Sequence, residues 1–179
     1  MGRWFLTGIT RMPLLKEENT MGMSGYYIAV DDALLQDVID GAQSVLGIDP
    51  SGEKTLDIDK SWQGIHQLLC GEPFEGDPPM GYVVPLQYDN RIESESDFGA
   101  FYITPSEVKE AADFLSTLDD DALRDMYGFD SMRGDGTYPI TAEDDAEEFY
   151  SYLHSYLLEL ISYFKKNAEE GKAVIFYIL

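Results

Sequence analysis

Apolar positions recur along the chain in two rhythms, and these divide it into short strands and longer helices. Tyr26 to Val30 is a continuous run of residues that suit a pleated surface, which predicts a first strand. Behind Asp31 and Asp32, either of which can cap, Leu34, Leu35, Val38, Ala42 and Val45 recur three and four apart. This predicts a helix carried to Val45 and stopped by Gly47 and Pro50, with a loop from Ser51 to Lys54 after it. Ile58, Trp62, Ile65 and Leu69 mark one face of a second helix, with Asp59 as its natural cap and Gly71 at its end. From 72 to 97, Pro73, Pro78, Pro79 and Pro85 cut the apolar positions into short pieces, so an irregular excursion is expected there.

Gly99 to Ile103 reads as another strand, and Thr104-Pro105-Ser106-Glu107 after it is a capping box with proline at the first helical position. The helix so started turns Val108, Ala111, Ala112 and Leu115 inward, and a short helix from about Asp120 to Met126 follows. Gly128, Gly134, Gly136 and Pro139 predict a loop. Thr141-Ala142-Glu143-Asp144 matches a second capping box, ahead of Phe149, Leu153, Tyr156, Leu157, Leu160, Ile161 and Phe164. That pattern predicts a long amphipathic helix of roughly 27 residues, about 40 Å at 1.5 Å per residue. Gly171 ends it, and Ala173 to Ile178 forms a closing strand.

Strands at both ends with helices between them imply an α+β domain, a small sheet packed on one face by several helices, with the long amphipathic helix before the C-terminal strand. Residues 1 to 20 follow neither rhythm and read as an N-terminal extension to a single domain over 21 to 179.

Charge narrows the partners. Twelve Lys and Arg stand against 34 Asp and Glu, a net charge of -22, and a surface of that sign repels phosphate backbones and anionic lipid headgroups. Neither nucleic acid nor membrane is an expected partner; a basic protein is. Cys70 is the sole cysteine, so no intrachain disulfide forms and a reducing cytoplasm fits. The stretch from Trp4 to Ile9 is too short and too polar for a signal sequence.

Candidate chemistry is sparse. The Asp-rich stretches from Asp49 and Asp130 do not make a calcium loop; in the first, Lys54 stands at the glycine position and Lys60 at the bidentate glutamate position. His66 and Cys70 share a helix face but lack the further ligands of a tetrahedral zinc site. No metal or cofactor is therefore expected. A satisfied core histidine is the simpler account of His66, and capping the simpler account of Asp59. Tyr150, Tyr152, Tyr156 and Tyr163 could stack on a ligand, yet their spacing suits core and boundary packing.

Four stretches together resemble the YfbM-like family, bacterial proteins grouped as a domain of unknown function. They are Met21-Gly22-Met23-Ser24-Gly25-Tyr26; Leu56-Asp57-Ile58-Asp59-Lys60-Ser61-Trp62 with His66 and Gly71; Tyr102-Ile103-Thr104-Pro105-Ser106-Glu107-Val108; and Tyr138-Pro139 before the last helix. The resemblance implies a compact α+β fold, a cytoplasmic bacterial setting and a natural start near Met21, and it implies no activity. The chain departs from the family pattern at Phe101, where an arginine is frequent, and at Ile140 to Ala142, which lack a tryptophan after Tyr-Pro. Asp59, Trp62, His66 and Tyr138 remain as the candidate binding surface. Two functions compete. One is a non-catalytic interaction protein whose acidic surface takes a basic protein; the other is a small hydrolase or transferase with His66 as general base, oriented by Asp57 or Asp59. A sensor of small cationic ligands with an aromatic-lined pocket is a third.

Overall fold

An uninterrupted apolar strand has to be covered on both faces. Ala173-Val174-Ile175-Phe176-Tyr177-Ile178 is such a run, and it forms the central strand of the sheet, β5 (Ala173–Ile178). A computed structural model describes residues 22–49, 55–94, 96 and 98–179. Within it β5 pairs antiparallel with β1 (Gly25–Val30) on one side and with β4 (Ala100–Ile103) on the other. β2 (Thr55–Asp57) lies outside β1 and β3 (Arg91–Ile92) outside β4, giving five antiparallel strands in the order β2-β1-β5-β4-β3.

Alternation along the strands sorts the core into two layers. Tyr27, Ala29, Phe101, Ile103, Val174, Phe176 and Ile178 point to one face and meet α2 (Trp62–Cys70), α3 (Pro105–Leu115), α4 (Asp120–Met126), α5 (Phe129–Gly134) and α6 (Ala146–Glu169). Ile28, Val30, Ala100, Ala173 and Ile175 point to the other, where Leu35 and Val38 of α1 (Asp32–Ile39) and Val45 pack over them. The sheet is thus covered on both faces rather than one, with the smaller cover supplied by α1 and the turn behind it.

The α+β class and the order of the main elements agree with the sequence pattern, and several local features differ. α1 ends at Ile39, because Gly41 takes a left-handed φ of 74° that turns the chain, and Val45 sits in a separate 3₁₀ turn (Val45–Gly47). Pro50 and Ser51 to Lys54 lie outside the described residues, as do residues 1 to 20 and Met21. Two edge strands escape the hydrophobic pattern, since β2 and β3 are only three and two residues long. The glycine-bracketed stretch expected as a loop contains α5, whose Met132 is buried.

The two Thr-x-x-acid matches part company. Thr104 Oγ1 accepts the Glu107 N–H at 3.4 Å while Glu107 Oε2 accepts the Thr104 N–H at 2.7 Å, a complete capping box at the start of α3. At the start of α6 the cap is Asp145, whose Oδ1 accepts from Glu147 N at 2.9 Å and Glu148 N at 3.1 Å. Asp144 instead accepts from the Thr141 N–H and hydroxyl in the turn before the helix, which is 24 residues long. Thr104→Ala should therefore lower the unfolding free energy by about 1 kcal/mol and Thr141→Ala by less than about 0.5 kcal/mol, read as shifts in the urea midpoint at unchanged slope.

Candidate functional site

α2 is buried over Trp62 to Leu69, although Gln63, His66 and Gln67 are polar. Such groups are kept inside only with hydrogen-bond partners, and here the partners come from two irregular segments flanking the helix. On one side Gln63 Nε2 donates to Pro73 O at 3.4 Å, and His66 places Nδ1 3.0 Å from Val84 O and Nε2 3.3 Å from Glu75 O. On the other, Gln63 Oε1 accepts the Tyr138 N–H at 2.9 Å, Gln67 Nε2 donates to Asp135 Oδ2 at 2.6 Å, and the Thr137 hydroxyl donates to Gln67 Oε1.

The residues singled out from the sequence fall into two groups. Trp62 and Tyr138 come together, ring centroids 6.1 Å apart, and both hold the entry to β1. Trp62 Nε1 donates to Met23 O at 2.9 Å, and the Met23 N–H donates to the Tyr138 hydroxyl at 2.9 Å. Gly25 is closely packed here, since a Cβ on it would come within 3.0 Å of Trp62 Cβ and of a Phe176 ring carbon, whereas a Cβ on Gly22 would meet only the movable end of the Lys60 side chain and the Tyr138 hydroxyl.

Asp59 lies nearby with a different role from the one its position implies. Its φ of 47° is left-handed, a conformation aspartate tolerates better than most residues, and its N–H donates to Asp57 Oδ1 at 2.8 Å. Asp57 therefore braces the turn before α2, and no Asp59 oxygen caps the helix. Asp59 Oδ2 accepts instead from the Tyr152 hydroxyl of α6 at 2.9 Å. Burial, with the Asp59 carboxylate adding to it, pushes the Tyr152 phenol far above its ordinary range, so this proton stays on oxygen.

His66 sits apart from these groups, 2% exposed, with main-chain carbonyls rather than Asp57 or Asp59 facing both ring nitrogens. A neutral imidazole has one N–H to donate, so one of the two carbonyls is served in either tautomer. Cys70, half-buried beside Asp77, has its thiol pushed up to about 11 mainly by burial and is a thiol at neutral pH.

Asp59 and Tyr152 open onto a cleft of about 380 Å³ at the start of α6, lined also by Lys60, Pro139, Asp144, Asp145, Glu148 and Phe149. Its floor is aromatic and its rim is acidic, with Asp144, Asp145 and Glu148 exposed. Of the candidate binding residues Asp59 lines this cleft, while Tyr138 only precedes its wall residue Pro139. Tyr152 is one of four tyrosines whose spacing reads as packing rather than ligand stacking, because helical spacing alone cannot say which boundary tyrosine meets a distant turn, and Glu148 carries no signal. Among the described residues no three His, Cys, Asp or Glu side chains are grouped so as to hold a metal ion, and no helix is long and apolar enough to cross a membrane.

Fold and site define an α+β domain with a braced β1 entry and an acidic cleft beside it. The chain belongs to the family described as domain of unknown function DUF1877, whose model matches residues 21–177. Protein YfbM of Escherichia coli strain K12 is 24% identical over 169 residues, 89% of this chain and 99% of that one. A crystal structure of a protein of unknown function, YfbM from Escherichia coli, matches with a TM-score of 0.66 at 20% identity, covering 87% of this chain and 99% of that chain. At that identity the likeness establishes the fold.

Burial, opposed by the two carbonyls, lowers the His66 pKa below 6.5. The unfolded chain then binds the proton more readily, so stability is full above the unfolded value and is lost as pH falls from about 6.5 toward the folded one. His66→Phe should be less stable than wild type at pH about 7.5, and the gap should narrow by pH about 5.5. Urea unfolding of both proteins at the two pH values checks this; a constant gap would mean that His66 does not titrate differently on folding.

Proposed function

We propose that this domain is a non-catalytic interaction protein that binds a basic protein partner and seats a Lys or Arg side chain of that partner in the cleft at the start of α6. The observation that carries the reading is the composition of the cleft: Asp59, Asp144, Asp145 and Glu148 around the rings of Phe149 and Tyr152, with Lys60 the one basic residue in its lining. A cation there gains charge-assisted hydrogen bonds from the carboxylates and the attraction of an aromatic face, and the net charge of -22 draws it in from a distance. The buried imidazole of His66 supports the same reading, since its nitrogens engage main-chain carbonyls and its contribution is to the shape of the domain. A single domain over residues 21 to 179 acting in a reducing cytoplasm is the setting we infer for this role.

The experiment contrasts two equal charge reversals. Glu148→Lys alters the cleft, whereas Asp32→Lys alters the first turn of α1 on the opposite face of the sheet. Titrated with a lysine-rich peptide at low ionic strength, Glu148→Lys should weaken binding about tenfold or more and Asp32→Lys by less than about threefold. Equal losses would mean that binding follows net charge alone, and no binding by the wild type would remove the reading.

A further inference from the structure

A second cavity lies at the other end of α6, where that helix packs along α3. The inward faces of the two helices are filled by Val108, Ala111 and Leu115 and by Leu157, Leu160 and Phe164, all buried. Toward solvent, Ala112 and Ala168 are half-buried and end at Cβ, and beside Ile161 they leave a groove of about 370 Å³ between the helices. That volume falls within the range of about 300–1,000 Å³ usual for small-molecule sites.

The charges around this groove are balanced, unlike those of the molecule as a whole. Lys109 and Asp113 on α3, and Lys165 and Glu169 on α6, are each separated by one helical turn and all four line the groove. Lys109 and Asp113 are in contact as an ion pair and so satisfy each other. Lys165 and Glu169 have the same spacing and are both exposed, yet among the described residues neither joins an ion pair. An ammonium and a carboxylate thus stand one turn apart at the lip of an apolar groove, each open to an outside partner.

We propose that this groove binds a free α-amino acid with an apolar side chain, its carboxylate on Lys165, its ammonium on Glu169 and its side chain on Ala112, Ile161 and Ala168. Residues four apart on a helix have Cβ atoms about 5–6 Å from one another, a separation that two long side chains can close around the adjacent charges of one amino acid. A net charge of -22 repels a simple anion and draws a simple cation to the carboxylates elsewhere on the surface; a zwitterion is neither repelled nor diverted. Ion pairs this exposed contribute little each, so burial of the apolar side chain carries much of the affinity, which is on the order of millimolar. The site shares no residue with the acidic cleft and does not depend on what that cleft binds.

The test adds L-leucine or L-phenylalanine to the full chain, up to about 20 mM, and follows the amide NMR signals. At least one of the two should shift Ala112, Ile161 and Ala168 saturably while Phe149 and Tyr152 stay in place. Lys165→Gln and Glu169→Gln, both on exposed side chains, should each weaken that binding about threefold or more, and Ala168→Leu should abolish it by filling the groove. Isoamylamine, which is leucine without the carboxylate, and isocaproate, which is leucine without the ammonium, should each bind about fivefold more weakly than leucine or worse. No saturable shift with either amino acid overturns the proposal. So does binding that Lys165→Gln and Glu169→Gln leave unchanged, or isocaproate or isoamylamine binding as well as leucine.

Discussion

The fold depends on the buried polar side chains of α2. Gln63 and His66 are inside the protein as partners for main-chain groups of the two segments flanking α2, Gln67 as a partner for the Asp135 and Thr137 side chains, and those segments hold their paths because α2 supplies these contacts. The Tyr27 hydroxyl, donating to Val83 O at 2.7 Å, ties the same excursion to β1. Leaving any one of these groups buried without its partner costs about 1–3 kcal/mol, so the helix and the two segments stand or fall together. The cleft inherits its shape from this arrangement, since Tyr138 and Pro139 are placed by the Gln63 contact.

Much of this was legible in the residues, for reasons that differ by element. Helices with a long apolar period, such as α6, and strands with a continuous apolar run, such as β5, announce themselves because burial dictates the pattern. β2 and β3 do not, since two or three residues carry no period, and they exist because β1 and β4 offer them edges. Thr141 and Asp59 show the limit of local rules. Each has the right residue type for a cap, but Asp145 is closer to the first turn of α6, and Asp59 is drawn away by a tyrosine 93 positions later.

The candidate site was half legible. Trp62 and Tyr138 do share a place, joined through Met23, while His66 on the same helix faces the proline-rich excursion. A helix buried on every side presents its residues to several different neighbours, so closeness in sequence does not imply a common surface. The acidic rim became readable only when Asp59 and the start of α6 were seen to converge.

The position of β5 has a consequence for how the protein is made. β1 with β2, and β4 with β3, form two separate pieces of sheet that touch only through β5. During synthesis both must wait, each with an open edge, until residues 173 to 178 have left the ribosome. Assembly is therefore governed by contacts far apart in sequence, which close slowly, and anything that delays β5 prolongs the period in which two unpaired edges are open to other chains.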